Sequence, residues 1–314
     1  MKETPQLLIH LDVDSPRKLL DFYQIKNIEY DQNSLDEFYR VAFDRAMGFF
    51  SDLGIFASFF VVGNELTSHS IKSTILQAHE LGHEIENHTY SHPFGLANLS
   101  HDQREQEIVK CSEVIHQITG RKPIGFRSPG YSINTEIVNH LERLGFTYDS
   151  SGFWSIMNPV LKLSHKFLFK NGLKNEGFGH VTSDLPKFPY WPDQSNWLKA
   201  SWTRSLIELP LPRTPFFQLP FYHNFNLWAP SVYSDLISKS IQRPYMVYLF
   251  HIIEFMDMQD SIPKELAVHP NLSRSVKTKL TQSKSIVNNL RKHYSFRKTQ
   301  DFCSEFKKLA NRVQ

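Results

Sequence analysis

The run His88, Thr89, Tyr90, Ser91, His92 carries two imidazoles four residues apart. On a helix that spacing sets both on one face, where they can hold one metal ion from the same side. Near the N-terminus an apolar run from Leu7 to Val13 is broken by Asp12 and followed by Asp14. On a strand the i, i+2 spacing points both carboxylates the same way. Two histidines and a carboxylate with open coordination positions make a metal site of the catalytic kind, and the second carboxylate is then free to handle protons. Alone, each pattern is weak: a chain with 15 histidines produces such pairs by chance, and an Asp at a strand end often only caps the next turn.

The elements that must position these groups recur along the chain. Ser34 and Glu37 predict a capping box for a helix with Phe38, Val41, Ala42, Phe49 and Leu53 inward; Gly54 ends it, and a strand follows over Phe56 to Val62. Ile71, Ile75, Ala78 and Leu81 lead to Gly82 and a strand to Asn87. Ser100 and Gln103 open a third helix, closed by Gly120 before Ile124 to Phe126; a fourth runs to Gly145 before Phe146 to Tyr148. This alternation predicts an α/β domain with a parallel sheet or barrel. In such folds chemistry collects at the carboxyl ends of the strands. Asp12, Asp14, His88, His92, Arg127, Asp149 and His251 all fall at such ends.

In this order the residues resemble the polysaccharide deacetylases, carbohydrate esterase family 4, whose catalytic unit is the NodB homology domain. Asp12 and Asp14 resemble the family's first motif, and His88 to His92 its second. Arg127, Ser128, Pro129, Gly130, Tyr131 resemble its third, Asp149 with Trp154 its fourth, and Leu249, Phe250, His251 its fifth. The resemblance covers residues 7 to about 255 and implies a distorted (β/α) barrel of about seven parallel strands. It departs from the family's usual adjacent Asp pair in having Val13 between the two, as in an intracellular branch that includes peptidoglycan-deacetylase-like and allantoinase-like enzymes. A stretch from Tyr23 to Asn33 looks inserted after the first motif.

The resemblance implies a divalent metal on Asp14, His88 and His92, zinc foremost, with cobalt, nickel or manganese as alternatives. Asp12 is the expected base, held ionised and oriented by Arg127. His251 is expected to protonate the departing amine, with Asp149 orienting it, and Gly130 or Tyr131 to offer an oxyanion N–H. Trp154 is expected at the substrate. Outside the family context, Arg127 reads equally as a structural ion pair, Asp149 as a turn cap and His251 as a core histidine.

Composition bounds these readings. At 314 residues, 40% hydrophobic and 21% charged, the chain is ordinary globular material. The start lacks a basic region followed by a long apolar core, and no apolar run approaches the roughly 18 residues of a membrane span, so a cytoplasmic location is expected. Cys111 and Cys303 suit reduced thiols. Residues 271–314 hold eleven Lys or Arg against two Asp or Glu, net +9, leaving −6 for the rest.

The expected organisation is therefore a catalytic barrel over 1–270 and a basic helical extension over 271–314. The extension is either a solvated face or a peripheral contact for an anionic membrane surface. Residues 186–230 hold eight of 17 prolines and Trp191, Trp197, Trp202 and Trp228, which suits ordered loops near the rim serving either as a platform for sugar rings or as core. Three functions follow: deacetylation of an N-acetylated sugar or glycan precursor; hydrolysis of a small cyclic amide or formamide, allantoinase-like or deformylase-like; or an inactive metal- or sugar-binding relative. The complete set of polar residues argues against the last. No nucleic-acid partner is expected, and a homo-oligomer is left open.

Overall fold

The computed structural model describes residues 4–155, 184–201, 204–215, 217–228, 231–241 and 244–310. Its central strand is β1 (Gln6–Val13), apolar on both sides except where the site requires otherwise. On one edge β9 (Tyr245–His251) pairs with it over Gln6 to Asp12. The other edge is shared end to end by β10 (Ser295–Arg297), against Gln6 to Leu8, and β2 (Ala57–Val61), against Ile9 to Val13. From β2 the sheet continues through β3 (Glu84–Asn87), β4 (Gly125–Phe126), β5 (Tyr148–Asp149) and β8 (Ile207–Glu208), every pair parallel. The seven strands from β9 to β8 curl into a half-barrel, as the resemblance implies. A two-residue antiparallel pair, β6 (Trp191–Pro192) and β7 (Ala200–Ser201), forms a separate sheet.

Helices cover the outer face: α1 (Pro16–Phe22), α2 (Gln32–Asp52), α3 (His69–Glu80), α4 (His101–Thr119), α5 (Thr135–Arg143), the single turn α6 (His223–Asn226), α7 (Ser231–Ile241), α8 (Val276–Arg291) and α9 (Thr299–Ala310). The Ser100–Gln103 capping box forms, and Gly120 closes α4 at φ 73°, a left-handed conformation glycine adopts without strain. The expected Ser34 cap does not form. Asp31 caps α2 three residues earlier, its Oδ1 accepting the Ser34 N–H at 2.7 Å.

Period two along β1 divides its side chains. Leu7, Ile9, Leu11 and Val13 pack outward with Phe38, Phe50 and Phe59 against the helices. Leu8 packs inward with Phe60, Tyr148, Ile207, Val247 and Leu249, and the same alternation turns His10 and Asp12 inward. The interior column of β1 thus becomes progressively polar toward the rim.

The C-terminal extension is more than helical. It supplies β10 to the sheet, and α9 places Phe302, Cys303 and Phe306 in the interior cluster, with Phe306 stacked on Trp191 at 4.4 Å. Some of its positive charges meet the body: Lys284 pairs with Asp52 at 2.7 Å, and Arg291 donates to the Leu53 carbonyl. Cys111 and Cys303 are buried and free. Among the described residues no helix is long and apolar enough to cross a membrane.

Gly125 shows how tightly the interior closes. The Tyr148 ring crosses it so closely that a Cβ there would lie 2.1 Å from Cζ. Tyr148 is fully buried and has no space to yield. Gly125→Ala is expected to destabilise the fold by about 3 kcal/mol, the upper end of ordinary overpacking, read as a lower melting temperature; an unchanged melt would show that the ring moves freely.

Candidate active site

His88 and His92 converge, but on a loop rather than the helix face their spacing suggests. After β3 the chain is tied to its neighbours instead of to itself: His88 N–H bonds the Val61 carbonyl, Tyr90 N–H the Glu107 carbonyl, and Ser91 N–H the Glu107 carboxylate. The Asn87 side chain accepts the Thr89 N–H at 2.8 Å, and Thr89 Oγ1 the His92 N–H at 3.1 Å. These bonds hold Thr89 and His92 at φ 66° and 62°, left-handed conformations that cost a non-glycine residue about 1–3 kcal/mol each. Both rings turn onto Asp14, with His92 Nε2 at 3.0 Å and His88 Nε2 at 3.4 Å from Oδ1.

The donor set fits a divalent cation. One atom from each of Asp14, His88 and His92 lies within 4.8 Å of the others. His88 Nδ1 sits 2.8 Å from the Arg127 carbonyl. That carbonyl only accepts, so Nδ1 carries a proton and Nε2 is the ring atom turned to the carboxylate, available as a ligand. Asp14 Oδ1 is buried with no hydrogen bond. Burial resists charge on Asp14, but His92 and His88 hold its carboxyl well below the usual range.

Beneath this cluster lies Arg127, with no solvent exposure. Its Nη1 donates to Asp12 Oδ1 at 2.7 Å, its Nε to the Ser150 carbonyl at 2.8 Å and its Nη2 to Ser150 Oγ at 2.8 Å. The Phe60 ring lies 4.4 Å below the guanidinium carbon. Asp12 Oδ2 is left toward His251, whose Nε2 is 3.9 Å away.

His251 ends β9 on the same rim. Asp149, expected to orient it, does not reach it. Asp149 is in register with Phe126, which packs outward on α5, so the same pleat sends its side chain to the helix side. There Asp149 accepts from Ser151 Oγ at 2.6 Å and faces Glu208, its register partner on β8. The carboxylate beside His251 is Glu254, 3.8 Å from Nδ1, on the turn that follows β9. Glu254 Oε2 also accepts the His251 backbone N–H at 3.1 Å. Burial alone would lower His251, but Glu254 and Asp12 outweigh it and push it up to about 9.

A cleft of about 320 Å³ opens above these groups. Its walls are aromatic, from Phe22, Tyr23, Phe94, Tyr131, Phe153 and Tyr222, with Lys18, Asn224 and His269 as further polar lining. One wall comes from α1 and from Tyr23, the first residue of the stretch that looks inserted. Gly130 lines the cleft at φ 57°, whereas the Tyr131 N–H is spent on the Ser128 carbonyl. Trp154 is half-buried against Arg213 at 4.6 Å and does not line the cleft. Trp191 and Trp197 are core residues, and Trp228 lies exposed with Arg274 over its ring; Trp202 lies outside the described residues.

Comparison with known proteins agrees with this geometry. Residues 33–148 match the family model for polysaccharide deacetylase, a stretch that includes His88, His92 and Arg127. The peptidoglycan deacetylase-like protein FGM2 of Gibberella zeae is 30% identical over 114 residues, 36% of this chain and 33% of that protein. The Helicobacter pylori peptidoglycan deacetylase is 28% identical over 111 residues, 35% and 37% of the two chains. The matches thus span about a third of the length of these curated relatives. Two solved structures share the fold across nearly the whole chain. One is a Mycobacterium smegmatis protein classed with the polysaccharide deacetylases (16% identity, TM-score 0.61, covering 97% of this chain and 91% of that one). The other is the Puue allantoinase (13% identity, TM-score 0.57, covering 95% and 89%). Residues 33–148 thus match the polysaccharide deacetylase family, and the half-barrel that carries the ordered motifs is similar in fold to those two solved structures.

Proposed function

We propose that this protein is a metal-dependent amide hydrolase that removes an acyl group, acetyl foremost, from the nitrogen of an N-acylated sugar. The observation that carries the reading is the convergence of Asp14, His88 and His92 in one cleft with the Arg127-held Asp12 and with His251. Asp14, His88 and His92 would hold the cation. When bound, a divalent metal polarises the amide carbonyl and lowers the pKa of water.

The chain's own residues supply the proton steps. Asp12 takes a proton from the attacking water through Oδ2, since Oδ1 is engaged by Arg127. The Gly130 N–H would meet the carbonyl oxygen as charge develops, a role supported by Gly130 lining the cleft. The carbon–nitrogen bond breaks as His251 Nε2 protonates the amine, and the proton on Asp12 restores His251 across the short gap between them. The products are a carboxylic acid and an amine, which leave as carboxylate and ammonium once the acid's proton passes to the amine.

A second reading, hydrolysis of a small cyclic amide or formamide, draws support from the cleft itself. Its volume stands at the low end for ligand clefts and suits a single ring better than a run of polymer. Assaying N-acetylglucosamine oligomers beside allantoin separates the two readings: acetate release from the sugar supports the first, and turnover of allantoin alone replaces it with the second.

Purified protein should hold about one divalent metal per chain, measured by elemental analysis. His88→Ala with His92→Ala should abolish it, and full metal in that double variant would sink the assignment. The two carboxylates separate by role. Asp12→Asn should keep the metal and lose most turnover, whereas Asp14→Asn should lose the metal itself. Metal content that tracks Asp12 would reverse the roles.

The pH profile tests His251. An acid raised to about 9 is protonated at neutral pH and loses its proton as pH rises through that value, so turnover should fall on the alkaline side near 9. Glu254→Gln removes one of the charges that raise it and should draw that limb toward neutral. His251→Ala should slow amide hydrolysis by roughly 10²-fold or more while sparing an ester with a good leaving group. An equal loss on both substrates would leave His251 a positioning residue.

A further inference from the structure

Beyond Asp12 and Ser150, Arg127 has a further partner on β1: its Nη2 lies 2.8 Å from Nδ1 of the fully buried His10. A guanidinium only donates, so His10 Nδ1 must accept and its proton must sit on Nε2. Burial and the facing Arg127 hold the ring well below the ordinary histidine range, which keeps it neutral.

The direction of each following bond is then set. His10 Nε2 donates to Thr299 Oγ1 at 3.1 Å. Ser58 Oγ donates to Glu84 Oε2 at 2.5 Å, because a carboxylate takes the proton, so Thr299 Oγ1 donates to Ser58 Oγ at 2.7 Å. Glu84 also accepts the backbone N–H groups of Thr299 and Gln300, at 3.1 and 2.8 Å. His10, Ser58 and Thr299 are essentially without solvent exposure, and the His10 ring is held against Phe60 at 5.1 Å. A single polarised chain therefore runs from the C-terminal segment, outside the stretch that matches the family model, to the guanidinium that holds Asp12.

We infer that His10 and Thr299 are positioning residues for the reaction: together they fix the rotation of the Arg127 guanidinium so that Nη1 presents to Asp12. This rests on Asp12 being the base. Removing the acceptor at His10, or the hydroxyl that orients His10, leaves Nη2 held by Ser150 Oγ alone and lets the guanidinium shift, and a small displacement of such a group is sufficient to slow turnover.

The test uses the full chain and two rescue pairs. In nitrogen-15 spectra the wild type should show His10 as the Nε2–H tautomer and resolved, slowly exchanging Arg127 guanidinium protons. Thr299→Val, of the same shape, should alter both sets of signals, and Thr299→Ser should restore them. His10→Leu should lose the Arg127 signals, while His10→Asn, which keeps an acceptor near Nδ1, should retain them in part. In metal-loaded protein, with an N-acetylglucosamine oligomer as probe, Thr299→Val should lower kcat by about 10-fold or more with KM and metal content unchanged. Arg127 signals that ignore Thr299→Val, or a loss confined to melting temperature, would overturn the inference. Asp12→Asn that retains turnover would remove the base assignment alone, because the Arg127 signals report the coupling independently of activity.

Discussion

A guanidinium enclosed completely by protein constrains everything around it. Arg127 cannot give up its proton, so each of its N–H groups needs an acceptor inside the half-barrel. Asp12 and His10 from β1 and Ser150 after β5 accept four of the five N–H bonds, and the Phe60 ring closes the face. Such a pair is a poor source of stability for its own sake, since removing one partner leaves a buried charge and costs about 3–5 kcal/mol. Its value here is geometric. The carbonyl of the same residue orients His88, so Arg127 ties the proton-handling carboxylate to the proposed metal ligands through one backbone position.

Much of this was legible in the sequence because strands impose period two. Asp12 lies in the inward column of β1 with Asp14 directly after the strand, and the alternation of helix and strand places the other polar residues at the same rim. What the sequence hid has specific causes. The His88 to His92 spacing fits a helix, but hydrogen bonds to Asn87, Glu107 and the neighbouring strand override the local periodicity. Asp149 occupies the expected place in order, yet one residue of pleat decides which face its side chain takes. Glu254 lay three residues beyond His251 and was legible only as an i+3 carboxylate. His10 looked like one polar residue in an apolar strand; nothing local signals that its partners are Arg127 and Thr299.

The aromatic segment shows the same limit. Four tryptophans between 186 and 230 read equally as a sugar platform or as core, and composition alone does not choose. Trp191 and Trp197 pack inward because α9 and the helices around α5 offer them apolar partners. The aromatic cleft is built from elsewhere, on α1, the loop after His92 and Tyr222. The wall from α1 lies just after the first motif, and only Tyr23 of the stretch that looks inserted joins it.

Charge on the two faces of β5 and β9 is kept separate, which bears on the chemistry the site favours. On the helix side Asp149 and Glu208 face one another in register, and burial raises both, Glu208 well above the usual carboxylate range. That pair is aimed away from the cleft. His251 is left to Asp12 and Glu254, which outweigh its burial. Glu254 is fixed by the backbone N–H of the histidine it tunes, so acid and tuning carboxylate move together as one turn. An imidazole held protonated at neutral pH, within 3.9 Å of a carboxylate that Arg127 anchors from behind, suits a reaction whose leaving group must gain a proton to depart. An amine is such a group, as the proposed reaction requires, and an acidic alcohol is not.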